Sequence, residues 1–383
     1  MTESQNNHAM KETTSKAARL LSIDALRGLI IVFMALDHAN YMVALKHSSG
    51  EHWGGPFPVF HDTLAFVTRF VTHLCAPGFF FLMGVGMLLF AESRRERGWS
   101  TWQILRHFWI RGALLIALQL LVVNRIWQMA PPPFPEVYIG VLVALGGTMI
   151  LGSLFLRLKP TYLLLLTLAL FIGMELTHPD PSQWGLIFDK PLGLVLGYSG
   201  GSADFWVNYP ILPWLEMVTF GLLFGHWVRE NSKEAFRRGL ILGIVFLVLF
   251  VVLRYLDGFG NIRPRMGDSL IDYLNVVKYP PSMTFNLLTT GINLIILWGF
   301  SRVTERLRLL LEPLAAFGRA PLFSYLLHLL LYVYIGRLFA PNGTSIAKMY
   351  PFWLLGLVIL LPFAWWYGRF KARQSPKSLL QFL

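Results

Sequence analysis

The side chains best suited to chemistry lie inside apolar runs of this sequence. In IVFMALDHANYM, residues 31–42, a run of six hydrophobic residues is followed by Asp37 and His38. Ionisable groups within a membrane-spanning helix are costly, usually face the bundle interior and indicate function. Arg27 lies eleven residues before His38, about three helical turns, so both share a helix face roughly 16 Å apart. These residues form a polar stripe along the helix, which predicts a polar and reactive region inside a helical bundle.

Three other apolar segments carry ionisable residues that we place at a similar depth. In TRFVTHLCAP, Arg69 and His73 have the i,i+4 spacing that puts two side chains on one helix face. His328 lies within PLFSYLLHLL, and Glu216 follows YPILPW. Arg69, His73 and Glu216 fall in the outer half of their segments, and His328 falls in the middle or outer half. We therefore predict that His38, His73 and His328 approach one another around a common cavity.

Each of these residues also has a purely structural interpretation. His328 could be a packing histidine bonded to a carbonyl, and Arg69 could extend towards lipid headgroups. Asp37 with His38 could be a pair at a helix end. Histidines in a polar loop are ordinarily solvated, and the loop that follows contains three, His47, His52 and His61. The histidine spacings match no zinc motif, so we predict no metal site.

The composition indicates the elements that position these residues. Of 383 residues, 55% are hydrophobic and 14% are charged, against about 25% charged in an average soluble domain. A bilayer-spanning helix needs about 20 mostly apolar residues. Ten segments are candidates: Leu20–Tyr41, Leu64–Phe90, Ile104–Val123, Val137–Leu156, Tyr162–Leu176, Ile211–Val228, Leu240–Leu253, Met283–Phe300, Leu314–Ile335 and Phe352–Trp366. The sequence predicts an all-α, polytopic membrane bundle.

The distribution of basic residues predicts the topology. Alternate connections and the two ends hold 20 Lys and Arg residues, whereas the intervening connections hold nine. By the positive-inside rule, both termini are cytoplasmic. The net charge of +12 is explained in this way, so we predict no nucleic-acid partner. We divide the chain into a disordered cytoplasmic tail (1–19), a transmembrane domain (20–370) and a second cytoplasmic tail (371–383).

The stretch SIDALRGLIIVFMALDH resembles the opening of membrane acyltransferases related to the heparan-alpha-glucosaminide N-acetyltransferase catalytic domain. TRFVTHLCAPGFFFLMG, YPILPWLEMVTFGLLFG, KYPPSMTFNLLTTG and FGRAPLFSYLLHLLL are similar to further stretches of its bacterial branch. The resemblance implies a bundle of about ten or eleven helices in a bacterial inner membrane. It also implies transfer of an acetyl-like group from cytoplasmic acyl-CoA, a co-substrate rather than a tightly bound cofactor. The acceptor, usually a sugar, is on the opposite side of the membrane.

The resemblance also implies roles for individual residues. The lysosomal relative has a reactive histidine soon after its first helix, a place that either His47 or His38 could fill. Histidine suits a general base or an acyl-accepting nucleophile, and Asp37 could orient it. The predicted catalytic set is therefore His38, Asp37, His73 and His47. Arginines near the cytoplasmic mouth would attract the phosphates of coenzyme A, and these are Arg27, Arg106, Arg111 and Arg319. The predicted substrate-binding set is Arg69, Glu216, Lys278, Tyr279 and His328.

Two other functional classes compete with the acyltransferase. A proton-coupled or anion transporter could use the same His, Asp and Arg side chains at mid-membrane, although its expected repeat relating two halves is not evident. A non-catalytic membrane partner would leave the shared depth of the charges without an explanation. The acceptor, the acyl length, an acyl-histidine intermediate and a homodimer are left open by the sequence.

Overall fold

Helices form nearly all of the regular structure in this computed structural model. It describes residues 3–374 apart from 49, 56, 61, 132–133 and 179–190. The helices are α1 Glu3–Ala39, α2 Thr63–Thr72, α3 Cys75–Arg95, α4 Thr101–Leu118, α5 Asn124–Gln128, α6 Val141–Ser153, α7 Pro160–Leu176, α8 Pro191–Leu196, α9 Ile211–Glu230, α10 Ser232–Leu256, α11 Leu270–Leu274, α12 Met283–Ser301, α13 Glu312–Arg319, α14 Pro321–Phe339 and α15 Ile346–Ala372.

Shorter elements connect or cap these helices. One π-helical segment, Asn40–Ala44, continues α1, and another, Gln119–Val123, joins α4 to α5. A 3₁₀ turn covers Glu305–Leu310. Three short strands, β1 Val137–Ile139, β2 Gly200–Gly201 and β3 Phe205–Val207, form a sheet in the order β1-β3-β2. The β1–β3 pair is parallel and the β2–β3 pair is antiparallel.

The lengths and compositions of the helices confirm the predicted all-α, polytopic membrane bundle. Among the described residues, seven helical segments are long and apolar enough to cross a membrane, with α2–α3 and α4–α5 each forming one segment. The helices α6 and α7 are apolar but shorter. The first helix α1 carries three charged residues in its apolar part, Asp24, Arg27 and Asp37. The number of spans and the side of each terminus remain predictions.

Several predicted spans have different boundaries in the structure. The second span is interrupted at His73–Leu74, because Pro77 has no N–H to donate to the carbonyl four residues earlier. The ninth is interrupted at Ala320, since a proline disfavours helical backbone in the residue before it. The fourth begins with β1 rather than with helix. The helix α1 begins at Glu3 and so includes most of the segment predicted as a disordered tail.

The helix α1 is at the centre of the bundle and packs against α3, α12, α13 and α14. Glycine allows its closest approach. A Cβ atom at Gly28 would lie 1.7 Å from the carbonyl oxygen of Leu314, and one at Gly318 would lie 1.9 Å from that of Asp24. Small residues of this kind allow helix backbones to touch in membrane bundles. This contact places the end of α13 beside the Asp24 end of α1.

A small second core caps the bundle near the other end of α1. It contains the buried side chains of Trp53, Phe57, Ile139, Val207 and Val277. The indole of Trp53 donates to the carbonyl of Ser199 over 2.9 Å, and His52 forms a β-bridge with Tyr279. Loop 45–62, the strands and loop 276–282 are therefore packed together.

The fold and the basic-residue pattern together predict the side on which each loop lies. We expect cysteines introduced at Val59 and Asp268, which are 84% and 98% exposed, to react with an impermeant thiol reagent from the outside of intact cells. A cysteine at the exposed Arg97 should react only after permeabilisation. The native Cys75 is buried, so the parent protein is the unlabelled control. Labelling of all three positions from one side would contradict the topology.

Candidate functional site

A buried arginine joins two helices and a loop at the Asp37 end of α1. Arg69 and Glu51 are 1% and 0% exposed. The guanidinium donates from Nε to Glu51 Oε1 over 2.6 Å and from Nη2 to Oε2 over 2.9 Å. Its Nη1 donates to Asp37 Oδ1 over 2.6 Å. This bidentate geometry matches a planar guanidinium to a carboxylate, and Arg69 therefore binds two acids at once.

Further side chains extend this cluster. Thr72 donates to Asp37 Oδ1 over 2.8 Å, and His73 Nε2 lies 3.2 Å from Glu51 Oε1. His47 Nε2 lies 3.2 Å from Asp37 Oδ1 and 2.8 Å from Arg69 Nη1. The i,i+4 spacing of Arg69 and His73 thus directs both side chains to the same glutamate. Lipid headgroups are not the partner of Arg69.

Glu51 was missed by the sequence reasoning because it lies in an irregular polar loop. Burial raises the pKa of this carboxyl, but the charge and hydrogen bonds of Arg69, together with His73, outweigh burial and hold the pKa well below its usual value. Its backbone oxygen also accepts from the amides of Lys278 and Tyr279, over 2.9 and 3.1 Å. Glu51 therefore connects loop 45–62 and loop 276–282 to the buried arginine.

The three intramembrane histidines separate into two groups. His38 Nδ1 lies 2.6 Å from His328 Nε2, although the two residues are 290 positions apart. His73 instead contacts Glu51. All three are buried: His38 is 8% exposed, His328 is 0% exposed and His73 is 4% exposed. Of the three histidines predicted to meet around one cavity, the structure therefore brings together only His38 and His328, and it places His73 in the neighbouring ionic cluster.

A cavity of about 650 Å³ opens beside this cluster, and we call it the aromatic cavity. Five predicted site residues line it: Asp37, His38, His47, Lys278 and Tyr279. The sequence reasoning missed the aromatic part of its wall, which comprises Tyr41, Trp127, Phe134, Tyr138, Trp206, Tyr209 and Tyr325. Three of these lie in separate helical segments and four in loops and short strands, so no periodic pattern relates them. An aromatic content of 15% was the only signal.

The loop histidines also differ from the solvated interpretation. His52 lines the aromatic cavity and is 5% exposed. Burial lowers its pKa to about 4, so the imidazole is neutral at pH 7. His47 is also largely buried, with 14% of its side chain exposed. His61 lies outside the described residues.

A second cavity, of about 310 Å³, lies towards the Asp24 end of α1, and we call it the basic cavity. Its walls are mostly Met, Leu and Phe side chains, and its charged groups are Arg27, Arg111, Arg319 and Lys371. Three of these were predicted for coenzyme A. Lys371 was placed in a tail by the sequence, but α15 continues to Ala372.

The charged groups of the basic cavity differ in their partners. Arg27 binds Asp24 over 2.9 Å and the carbonyl of Gly318 over 3.1 Å. Arg319 binds Glu312 over 3.0 Å. Among the described residues, Arg111 has no acidic partner, and its buried Nε has no hydrogen-bond partner. Arg111 is therefore the arginine best placed to bind an incoming anion.

Five predicted site residues line neither cavity. Three of them, Arg69, His73 and His328, belong to the ionic cluster and the histidine pair described above, whereas the other two lie apart from both. Arg106 is exposed and does not contribute to the wall of the basic cavity. Glu216 is buried in α9, where it accepts a hydrogen bond from the Asn286 amide. Neither is brought to the other predicted residues.

The two cavities adjoin each other. Met34, Phe79, Val141 and Tyr325 belong to the walls of both. On α1, Arg27, Met34 and His38 follow one another at seven- and four-residue steps, which places them on one helix face. One face of α1 thus passes from the basic cavity to the aromatic cavity.

Comparison with known proteins identifies the family. The model of the heparan-alpha-glucosaminide N-acetyltransferase catalytic family matches residues 19–254, more than half of the chain. The chain belongs to this family. The predicted resemblance is therefore confirmed, and the apolar helices together with the family make the chain an integral membrane protein. The matched region includes Arg27, Asp37, His38 and Arg69, but ends before His328.

Two heparan-alpha-glucosaminide N-acetyltransferases are similar over part of their length. The mouse protein is 32% identical over 135 residues, which is 35% of this chain and 18% of the mouse protein. The human protein is 29% identical over 131 residues, or 34% and 18% of the two chains. The similar stretch thus spans about a fifth of each relative.

The Arg69–Glu51 pair should contribute strongly to stability. We expect Glu51→Gln to lower the free energy of unfolding by about 3–5 kcal/mol, because it leaves a buried guanidinium with one counter-charge fewer. Thermal unfolding in detergent measures the effect. The control is Glu234→Gln, which removes an acid that is 33% exposed and paired with the exposed Arg237, and it should leave the melting temperature unchanged.

The pH dependence of this difference has a definite sign. The folded pKa of Glu51 is depressed, so its stabilisation is present above the unfolded value of about 4.3 and is lost as the pH falls towards the folded pKa. The gap between wild type and Glu51→Gln should be full at pH 7 and shrink below about pH 4. A gap that does not change with pH, or no gap at neutral pH, would contradict the assignment.

Proposed function

We propose that this protein transfers an acetyl-like group from acyl-CoA in the basic cavity to a carbohydrate in the aromatic cavity. The observation that carries the proposal is that two cavities of different chemistry share Met34, Phe79, Val141 and Tyr325. An acyltransferase whose two substrates approach from opposite sides needs this arrangement. The acyl donor and the acceptor can then meet within the bundle without crossing it.

The basic cavity suits acyl-CoA in both of its parts. Arginine and lysine side chains at its mouth would bind phosphates through charge-assisted hydrogen bonds. The Met, Leu and Phe side chains further in suit an uncharged chain ending in a thioester. The family name, which specifies an N-acetyltransferase, supports acetyl as the group that is transferred.

The aromatic cavity suits a sugar. Trp127 and Phe134 are stacked at 5.1 Å with their planes 13° apart, and flat apolar surfaces of this kind cover the C–H faces of a ring. Asn208 accepts from Trp206 Nε1 over 2.6 Å and donates to the Tyr138 hydroxyl over 2.9 Å. Placed polar groups within aromatic walls are typical of sites that orient a polar ligand.

The same cavity provides the groups that acyl transfer needs. A hydroxyl or amine attacks a thioester faster when a histidine removes its proton. His38 and His47 both line the aromatic cavity, so either could act at this place. Asp37 contacts His47 and precedes His38 in the chain. Lys278 adds a cation that could stabilise negative charge developing on the thioester oxygen.

Loss of a phosphate contact in the basic cavity should weaken coenzyme binding. We expect Arg111→Gln to raise the Kd of coenzyme A about tenfold to a hundredfold, since a charged hydrogen bond contributes about 1.5–3 kcal/mol. Arg111 is preferable to Arg27 or Arg319, whose removal would also leave acids unpaired. Titration calorimetry of the detergent-solubilised protein measures the Kd.

The matched control for this titration is Arg125→Gln. Arg125 is exposed, lies outside both cavities and bonds only Gln128 among the described residues. Its removal changes the net charge equally and should leave the Kd unchanged. Equal affinities for wild type and Arg111→Gln would remove the basic cavity from the proposal.

The transfer itself can be separated from transport in proteoliposomes. Acetyl-labelled acetyl-CoA is supplied on the side of the basic cavity, and a glucosamine-terminated disaccharide on the side of the aromatic cavity. We expect labelled disaccharide, with one coenzyme thiol released for each acetyl group. Label that crosses as a free solute without acetylated sugar would indicate a transporter. Liposomes without protein are the control for spontaneous acetylation.

A further inference from the structure

Two neutral imidazoles form an isolated pair beside the aromatic cavity. His38 on α1 and His328 on α14 join through Nδ1 and Nε2 over 2.6 Å, with their ring planes within 8° of parallel. In the part of the chain that the structure describes, no carboxylate forms an ion pair with either ring. An imidazolium without a counter-ion is costly within a membrane bundle. Both rings are therefore neutral in the resting protein.

A backbone carbonyl determines where the proton of His328 lies. His328 Nδ1 is 2.8 Å from the carbonyl oxygen of Ser324. A carbonyl can only accept, so Nδ1 carries the proton of the neutral ring, and Nε2 carries a lone pair. That lone pair must accept from His38, whose proton is consequently on Nδ1. His38 Nε2 then carries a lone pair.

The free nitrogen of His38 is available to a substrate. His38 lines the aromatic cavity, and among the described residues its Nε2 has no hydrogen-bond partner. His47 is in a different state. Its Nε2 lies 2.8 Å from Arg69 Nη1 and 3.2 Å from Asp37 Oδ1, so that nitrogen is engaged by the ionic cluster whichever of the two it bonds.

We propose that His328 is a positioning residue that holds His38 in its Nδ1–H tautomer, so that His38 Nε2 receives the proton of the acceptor. This inference rests on the proposed acyl transfer and deepens it by choosing between the two candidate histidines. The tautomer of the base, His38, is then set by a residue on another helix, His328, rather than by an adjacent acid.

The step balances without another reactant. The acceptor oxygen or nitrogen forms a bond to the thioester carbonyl carbon while its proton moves to His38 Nε2. The carbon–sulfur bond breaks, and its electron pair remains on sulfur. His38 then returns the proton to the thiolate, which gives the free thiol and the neutral imidazole. During this time the His328 lone pair accepts from the charged His38 ring and stabilises it, while the Ser324 carbonyl accepts from His328 Nδ1 and polarises that ring.

The test compares two substitutions of His328. His328→Leu removes the acceptor for His38 Nδ1–H, whereas His328→Gln keeps an amide oxygen that can accept and an N–H that can donate to Ser324. We expect the leucine variant to lose about a hundredfold or more in kcat for acetyl transfer to the glucosamine-terminated disaccharide, the scale of general-base catalysis. The glutamine variant should recover to within about tenfold of wild type.

A spectroscopic readout separates positioning from a general structural role. With ring-¹⁵N histidine, the His38 signals are identified by their loss in His38→Ala. They should show the Nδ1–H tautomer in wild type and His328→Gln, and the other tautomer or a mixture in His328→Leu. The Kd for coenzyme A should be unchanged in all variants, which shows that they are folded. The control is His226→Gln, a histidine on α9 that lines neither cavity.

The outcomes distinguish this inference from the proposed function. Full kcat in His328→Leu, or a wild-type His38 protonated at Nε2, would overturn the role of His328. Full kcat in His38→Ala together with none in His47→Ala would move the base to His47, while acyl transfer would stand. Absence of transfer by the wild type would overturn the proposed function, and the tautomer measurement would still decide whether His328 positions His38.

Discussion

The Arg69 guanidinium, enclosed between Glu51 and Asp37, is the interaction on which the site depends. A buried cation is tolerated in a bundle only when its donors meet acceptors, and here both acids meet it within 3 Å. Asp37 is on α1, immediately before His38. Glu51 is on the loop that closes the aromatic cavity. One side chain thus sets the position of a helix relative to a loop that would otherwise have few constraints.

The attachment made by Arg69 extends to a second loop through the backbone of Glu51. Its carbonyl accepts from both Lys278 and Tyr279, and the bridge between His52 and Tyr279 continues the same contact. The loops are therefore attached to the bundle at a charged point as well as by hydrophobic packing. Under the proposed function this ionic attachment lies beside a polar ligand, whose polar groups a purely apolar wall would leave unpaired.

The helix α1 runs from the basic cavity to the aromatic cavity and so connects them. Its contact with α13 at Gly28 and Gly318 places Arg319 near Arg27 and creates the basic end. Its face then continues through Met34 to His38. Under the proposed function, this one helix face, with basic, apolar and imidazole side chains in turn, would contact both the acyl donor and the acceptor.

The helical bundle and the stripe on α1 followed from the sequence alone, because hydropathy and helical periodicity are local properties that neighbouring residues determine. The same local logic placed Arg69 and His73 on one face. Glu51 and the aromatic wall did not follow. Glu51 and four of the wall residues come from loops and short strands in which no period relates one residue to the next, and the other aromatic residues come from separate helical segments. Lys371 was missed because its helix extends beyond the apolar run that indicated it.

Only the tertiary structure decided which of these groups meet. Equal depth in the membrane was compatible with His38, His73 and His328 in one cluster, but the helix rotations pair His38 with His328 and His73 with Glu51. Hydrogen bonds act over about 3 Å and depend on direction, so a small change in helix crossing changes the partner. That crossing is set by close contacts such as Gly28 against Leu314, between residues far apart in the chain. The sequence by itself therefore determined the helices and their polar faces, and packing determined the chemistry.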